Sequence, residues 1–331
     1  MENLQNKLIV SHAPHIKTKD SVQATMLDVV IALLPALLAG IIVMGYRASV
    51  VTVVCVAACV AFEWIWCKLL KKPSTVTDLS AVVTGMLLAF NLPVTIPLWI
   101  AVIGSFFAII IVKEFFGGLG HNFMNPALAA RAFLLTSWAA HMTTWTAPFT
   151  KLHIIGNVDI VSQATPLALI KGAESAAELP GYLSLFLGTV GGCIGETSAL
   201  AILIGAGYLV FRKVISLRTP AAYLITVGIL TFVFGGDKFF SGDWLYHLLS
   251  GGLMLGAFFM ATDYTTTPYT PKGQIVFGIG CGILTAVIRL WGGYPEGVSY
   301  SILLMNIAAP LIDRFTAPKR FGRKEAKALA E

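Results

Sequence analysis

Ten apolar windows follow one another along the chain: Met26 to Met44, Ala48 to Leu70, Leu79 to Leu92, Ile96 to Val112, Asn125 to Trp138, Gly188 to Phe211, Ala221 to Phe234, Trp244 to Ala261, Gln274 to Leu290 and Val298 to Ile312. Most approach the ~20 residues that an α-helix needs to cross a hydrocarbon core. The pattern predicts an all-α polytopic membrane protein with about ten transmembrane helices. A single long stretch, Ala139 to Leu187, is rich in Thr, Gly and Pro and too polar to span.

The third window is too short for a full crossing, is preceded by Thr77 and Asp78 as capping residues, and ends at Asn91-Leu92-Pro93. Its counterpart is Leu249 to Thr262, where LSGGLMLGAFFMATD echoes LSAVVTGMLLAFNLP. Five spans separate the two. An odd number of crossings turns the second copy upside down, so the expectation is two inverted five-helix repeats with interrupted helices. A weaker, unevenly gapped echo relates GG then MNPALAARAF, Gly117 to Phe133, to GG then MNIAAPLIDRF, Gly292 to Phe315. The expected organisation is an N-terminal arm (1–21), a first repeat (22–138), an external loop (139–187), a second repeat (188–315) and a basic tail (316–331).

Composition narrows this further. With 56% hydrophobic and 12% charged residues and a mean hydropathy of +0.79, a soluble enzyme is excluded. Placing the N-terminus inside gives the inner loops seventeen Lys and Arg, Lys113 among them, against four outside: Arg47, Lys151, Lys171 and Lys238. Both termini are therefore expected in the cytoplasm. The basic tail reads as an orientation signal facing anionic lipid, with no nucleic-acid partner expected. The five cysteines, Cys55, Cys59, Cys67, Cys193 and Cys281, include no CxxC pair and mostly lie in apolar runs, so no cluster ligation is expected and no metal set is visible.

Asp28, Glu63, Arg131, Glu196 and Arg289 fall in or at the edge of apolar windows, where charge is costly and function is the default suspicion. Asp28 and Arg289 lie near window ends and could equally snorkel to the interface. In Gly117 to Pro126, three glycines permit close backbone approach, and Asn125-Pro126 reads as an N-cap followed by the first helical residue. The segment is either a helix-start loop or, through the amides of Asn122 and Asn125, a site for a planar ligand such as an isoalloxazine ring. Inverted symmetry would bring Asp263, with its hydroxyl run Thr265 to Thr267, to the same face. At Gly191 to Leu200, glycines followed by Glu196-Thr197-Ser198 and an apolar run form a helix start. The residues there serve as simple caps or as an anion site suited to phosphate.

Four motifs in this order, DLSAVVTGMLLAFNLP, GGLGHNFMNPALAARAF, GETSAL and MATDYTTTP, cover nearly the whole chain from Asp20 to Phe315. The chain resembles the RnfD/NqrB family, which serves the Rnf complex, an ion-pumping ferredoxin:NAD+ oxidoreductase, and the sodium-translocating NADH:quinone reductase. The resemblance implies FMN bound through a phosphoester to Thr197, flanked by Glu196 and Ser198. It also implies a non-covalent riboflavin near the cytoplasmic side, carried over onto Asn122, Asn125 and Asp263. A short N-terminal arm favours the Rnf type. No residue of this chain is expected to act as a catalyst by itself. Iron–sulfur and NAD+ sites would reside on partner subunits, because the chain has no Rossmann fingerprint. Ferredoxin would be reached through those partners. Rival readings are a secondary transporter or channel for a small solute, a flavin-free scaffold, and the quinone-reductase counterpart.

Overall fold

The computed structural model describes residues 21–149, 164–171, 179–236 and 238–318. The arm before Ser21, Lys151, and the tail from Lys319 onward lie outside the described residues, as do 150–163 and 172–178 of the polar loop. Within the described residues the chain is helical without a β-strand. Three helices are long and apolar enough to cross a membrane: α1 (Val22–Met44), α2 (Tyr46–Leu69) and α13 (Pro271–Trp291).

Local chemistry explains where the elements begin and end. Ser21 caps α1 by accepting from the Ala24 N–H, and Gly45, at φ 82°, turns the chain into α2. The short α3 (Ser80–Phe90) starts where the Asp78 carboxylate accepts from both the N–H and the hydroxyl of Ser80. Helix α4 (Leu98–Phe106) runs on as a π-helix through Phe107–Glu114. Helix α5 (Pro126–Ser137) opens as its sequence predicts, with Asn125 capping the Ala127 and Leu128 N–H groups. The polar stretch holds α6 (Ala139–Met142), α7 (Pro166–Ile170) and α8 (Tyr182–Leu187).

The second half contains α9 (Ala199–Phe211), α10 (Arg218–Phe234), α11 (Trp244–Leu249), α12 (Leu253–Leu255) continuing as a π-helix through Gly256–Met260, α13, and α14 (Val298–Thr316). Two windows need correction. Gly188 to Phe211 is helical only from Ala199, because the glycine-rich residues before it form a loop that turns back onto α3. Trp244 to Ala261 breaks at Ser250-Gly251-Gly252, with Gly251 at φ 68°.

Helix α1 packs along α9 and α5 against α14, while α2 holds α3 and α4, and α10 holds α13. Small residues permit these approaches. A Cβ on Gly205 would stand 2.0 Å from the Ala32 carbonyl oxygen, and one on Gly85 would stand 2.7 Å from the Val56 Cα. Between α10, α13 and α14 the hydroxyls of Tyr223, Thr285 and Ser301 bond one another, at 2.6 Å for Tyr223–Thr285 and for Thr285–Ser301. Leu38, Ile42, Val53, Ile204, Ile225 and Ile229 face outward, as lipid contact requires.

Candidate functional site

The returning loop before α9 is fixed by the end of α3. The Gly195 N–H donates to the Phe90 carbonyl at 3.0 Å and the Ile194 N–H to the Leu92 carbonyl at 3.1 Å, satisfying carbonyls that the helix end would otherwise orphan. Gly195 is needed for this approach, since a Cβ there would lie 2.3 Å from that of Phe90. Ser198 is the N-cap of α9, accepting from the Ala201 N–H at 3.3 Å. Thr197 is buried, and among the described residues its hydroxyl has one long contact, 3.5 Å, to the Ile194 carbonyl. Glu196, Thr197 and Glu296 share the wall of a small recess, and Gly191 and Gly192 leave part of that wall without side chains.

Charge at this recess is balanced inside the protein. Arg131 on α5 donates to Glu196 Oε1 at 2.9 Å, to Asn91 Oδ1 at 2.7 Å, and to Glu296. All four side chains are buried. Arg289 is buried too, donating to the Glu296 carbonyl at 3.1 Å and to the carbonyls of His247 and Ser250. It therefore does not snorkel. The His247 and Ser250 carbonyls close α11, where a cation is favoured. Two guanidinium groups stand beside two carboxylates, which offsets part of the cost of burying each. Cys193, Glu196 and Glu296 also come together as possible metal ligands, with ligand atoms within 4.8 Å of one another. No spacing in the sequence signals that set. The Arg131 guanidinium already serves as the counter-ion of both carboxylates.

A second, larger cavity lies toward the other end of α3. Asn122, Asn125 and Asp263 all line it, joined by Ser80, Thr84 and Lys113. The Asn122 amide donates to the Met124 carbonyl at 3.2 Å. Asp263 accepts from the hydroxyls of Thr265 and Thr266, each at 3.2 Å, while loss of solvent pushes its carboxyl above its ordinary value. The Asn306 amide of α14, oriented to satisfy its bonds, accepts from the Asn125 N–H and donates to the Thr266 carbonyl, tying the two loops together. The cavity runs along the first half of α3, from Ser80 to Leu87, and the loop of the recess is tied to the helix end at Phe90. Amide, hydroxyl and carboxylate groups on the cavity wall offer donor and acceptor edges of the kind a heteroaromatic ring uses, and the recess offers the Thr197 hydroxyl.

Several residues behave differently from their sequence-based expectation. Lys113, counted among solvated inner-loop cations, is buried in the π-helix, where it pairs with Glu63 at 2.8 Å and donates to Ser80 Oγ at 2.7 Å. Glu63 also accepts from the Thr75 hydroxyl. Arg47, counted in an outer loop, is buried against the Val94 carbonyl at 3.0 Å. Asp28 pairs with Arg212 and Tyr208 of α9, at 3.2 and 2.8 Å.

Residues 9–322 match the family described as the NQR2, RnfD, RnfE family. The chain belongs to that family. Within it, the chain is 55% identical to the D-type subunit of the Na(+)-translocating ferredoxin:NAD(+) oxidoreductase complex of Acetobacterium woodii, over 97% of this chain and 98% of the relative. It is 47% identical to the D-type subunit of the proton-translocating ferredoxin:NAD(+) oxidoreductase complex of Clostridium ljungdahlii, over the same shares. Identity to the D-type subunit of the ion-translocating oxidoreductase complex of Stutzerimonas stutzeri is 41%, over 92% of this chain and 93% of the relative. Membership in the NQR2, RnfD, RnfE family agrees with the apolar helices and identifies a membrane protein of electron transport and ion translocation.

Proposed function

We propose that this chain is the D-type membrane subunit of an ion-pumping ferredoxin:NAD+ oxidoreductase, with FMN esterified to Thr197 and a second, non-covalent flavin in the cavity of Asn122, Asn125 and Asp263. The observation that carries the reading is the pair of sites at opposite ends of α3. One presents a buried threonine at a helix start beside an acid–arginine set, and the other presents amide, hydroxyl and carboxylate groups around one cavity. The bundle is arranged as two inverted five-helix repeats, 22–138 and 188–315, in ten crossings, with the 139–187 loop outside and both termini in the cytoplasm of a bacterial inner membrane.

Bound flavins would supply one- and two-electron carriage, and the chain's residues would supply position and insulation. Ser198 fixes the start of α9 next to Thr197, and the amide groups of a helix start would favour a phosphate there. Arg131 keeps Glu196 and Glu296 neutralised, so that a phosphoester does not meet two free carboxylates. Apolar side chains of α3 and α9 exclude water from the space between the sites. Iron–sulfur and NAD+ chemistry belongs to partner subunits. Either Na+ or H+ is the coupling ion, since relatives of both kinds match along the whole chain. Replacement of Thr197 by Ala is expected to abolish in-gel flavin fluorescence of this subunit while the chain still inserts. Retained fluorescence sinks the assignment.

A further inference from the structure

We propose that Lys113 sets the reduction potential of the flavin-class ring held in the Asn122–Asn125–Asp263 cavity, and that Glu63 trims its effect. The inference rests on the cavity being a flavin site. Lys113 forms part of the cavity wall and is buried. An ammonium has three donors. Among the described residues, two are satisfied, by Glu63 Oε2 at 2.8 Å and Ser80 Oγ at 2.7 Å, leaving one N–H without a protein acceptor. A buried cation with an unfilled donor beside a cavity is a ready partner for an electron-rich edge.

The local framework holds the charge in place. Lys113 comes from the last turn of the π-helix following α4, and π-helical segments often mark functional positions. Ser80 is itself held by Asp78, and Glu63 by Thr75, so the ammonium is gripped from α2 and from the head of α3. The buried pair costs desolvation that an apolar pair would avoid, so its place on a cavity wall calls for a functional reason.

Two electrons, delivered singly by a reduced iron–sulfur carrier of a partner subunit, and one proton from water convert an oxidised flavin ring to its reduced anion. The added charge is attracted to Lys113 and repelled by Glu63, in a medium where Coulomb terms are large. The two residues therefore move the couple in opposite directions. Loss of the ammonium lowers the potential, and loss of the carboxylate charge raises it.

The test is a spectroelectrochemical titration of the purified complex carrying Lys113→Met, Lys113→Arg or Glu63→Gln, with acid extraction to measure non-covalent flavin. Lys113→Met is expected to lower the reduction equilibrium constant of one flavin couple at least tenfold, about 30 mV for two electrons. Glu63→Gln, whose amide oxygen can still accept from Lys113 while its NH2 donates to the Thr75 hydroxyl oxygen, is expected to raise the same couple. Lys113→Arg is expected to stay near wild type. If wild-type complex releases no acid-extractable flavin, the cavity reading fails and this inference with it. If flavin is released but the Met and Gln variants leave the couple unmoved, or shift it the same way, the role of Lys113 alone is overturned. Should Lys113→Met not retain flavin, Glu63→Gln decides: an upward shift upholds the inference, and a downward or absent shift overturns it.

Discussion

Arg131 and Glu196 stand 65 positions apart in the chain and 2.9 Å apart in space, joining the α5 helix to the loop that presents Thr197. The same guanidinium holds Glu296 and Asn91, so one side chain secures the connection before α14 and the end of α3. Replacing Arg131 by Met leaves two buried carboxylates without the cation that is hydrogen-bonded to both. We expect a loss of about 3–5 kcal/mol, read as a lower thermal midpoint in detergent. Adding Glu196→Gln to that variant is expected to recover part of the loss, because a neutral amide is cheaper to bury than a lone carboxylate.

Glu296 lies in the connection between α13 and α14, where burial pushes its carboxyl from 4.5 up to about 7 despite Arg131. Between those two values the folded chain retains a proton that the unfolded chain has released. By linkage, stability attributable to this group falls as pH rises through that window. Comparison of wild type with Glu296→Gln across that pH range isolates the effect. The wild type should lose stability relative to the variant as pH increases. Parallel profiles contradict the assignment.

Two glycines of α9 separate close packing from mere helix propensity. A Cβ at Gly205 would collide with the Ala32 carbonyl of α1, whereas one at Gly207 meets nothing within 4 Å. Gly205→Ala is expected to cost about 1–3 kcal/mol by forcing α1 and α9 apart. Gly207→Ala should be neutral or slightly stabilising. Thermal midpoints of the two variants in the same detergent check this, and equal effects contradict the packing account.

Much of the fold was legible because apolar runs and caps act locally. Asn125-Pro126 predicts the start of α5, which its side-chain bonds explain. The weak echo between the two MN segments corresponds to a contact, since Asn125 and Asn306 are hydrogen-bonded. Hydropathy misled at Gly188 to Ile194, where Gly, Val and Cys score as apolar although the backbone there turns back and bonds α3. It misled again at Lys113. A window average reads a cation at a span end as solvated, and only the position of Glu63, fifty residues away, shows it to be buried. Arg131 was visible as a charge out of place, but its partners come from three distant segments, and no spacing rule links them. Glu296 carried no sequence signal, because a loop glutamate beside Tyr294 and Pro295 looks solvent-facing.

Covalent attachment of FMN is tested most directly by peptide mass spectrometry of this chain, purified with its complex from a cell that has an active flavin transferase. The peptide containing Glu196-Thr197-Ser198 is expected to carry the mass of one FMN joined through phosphate, with fragmentation placing it on Thr197. A peptide found wholly unmodified, or an FMN placed on another residue, would contradict the proposed site.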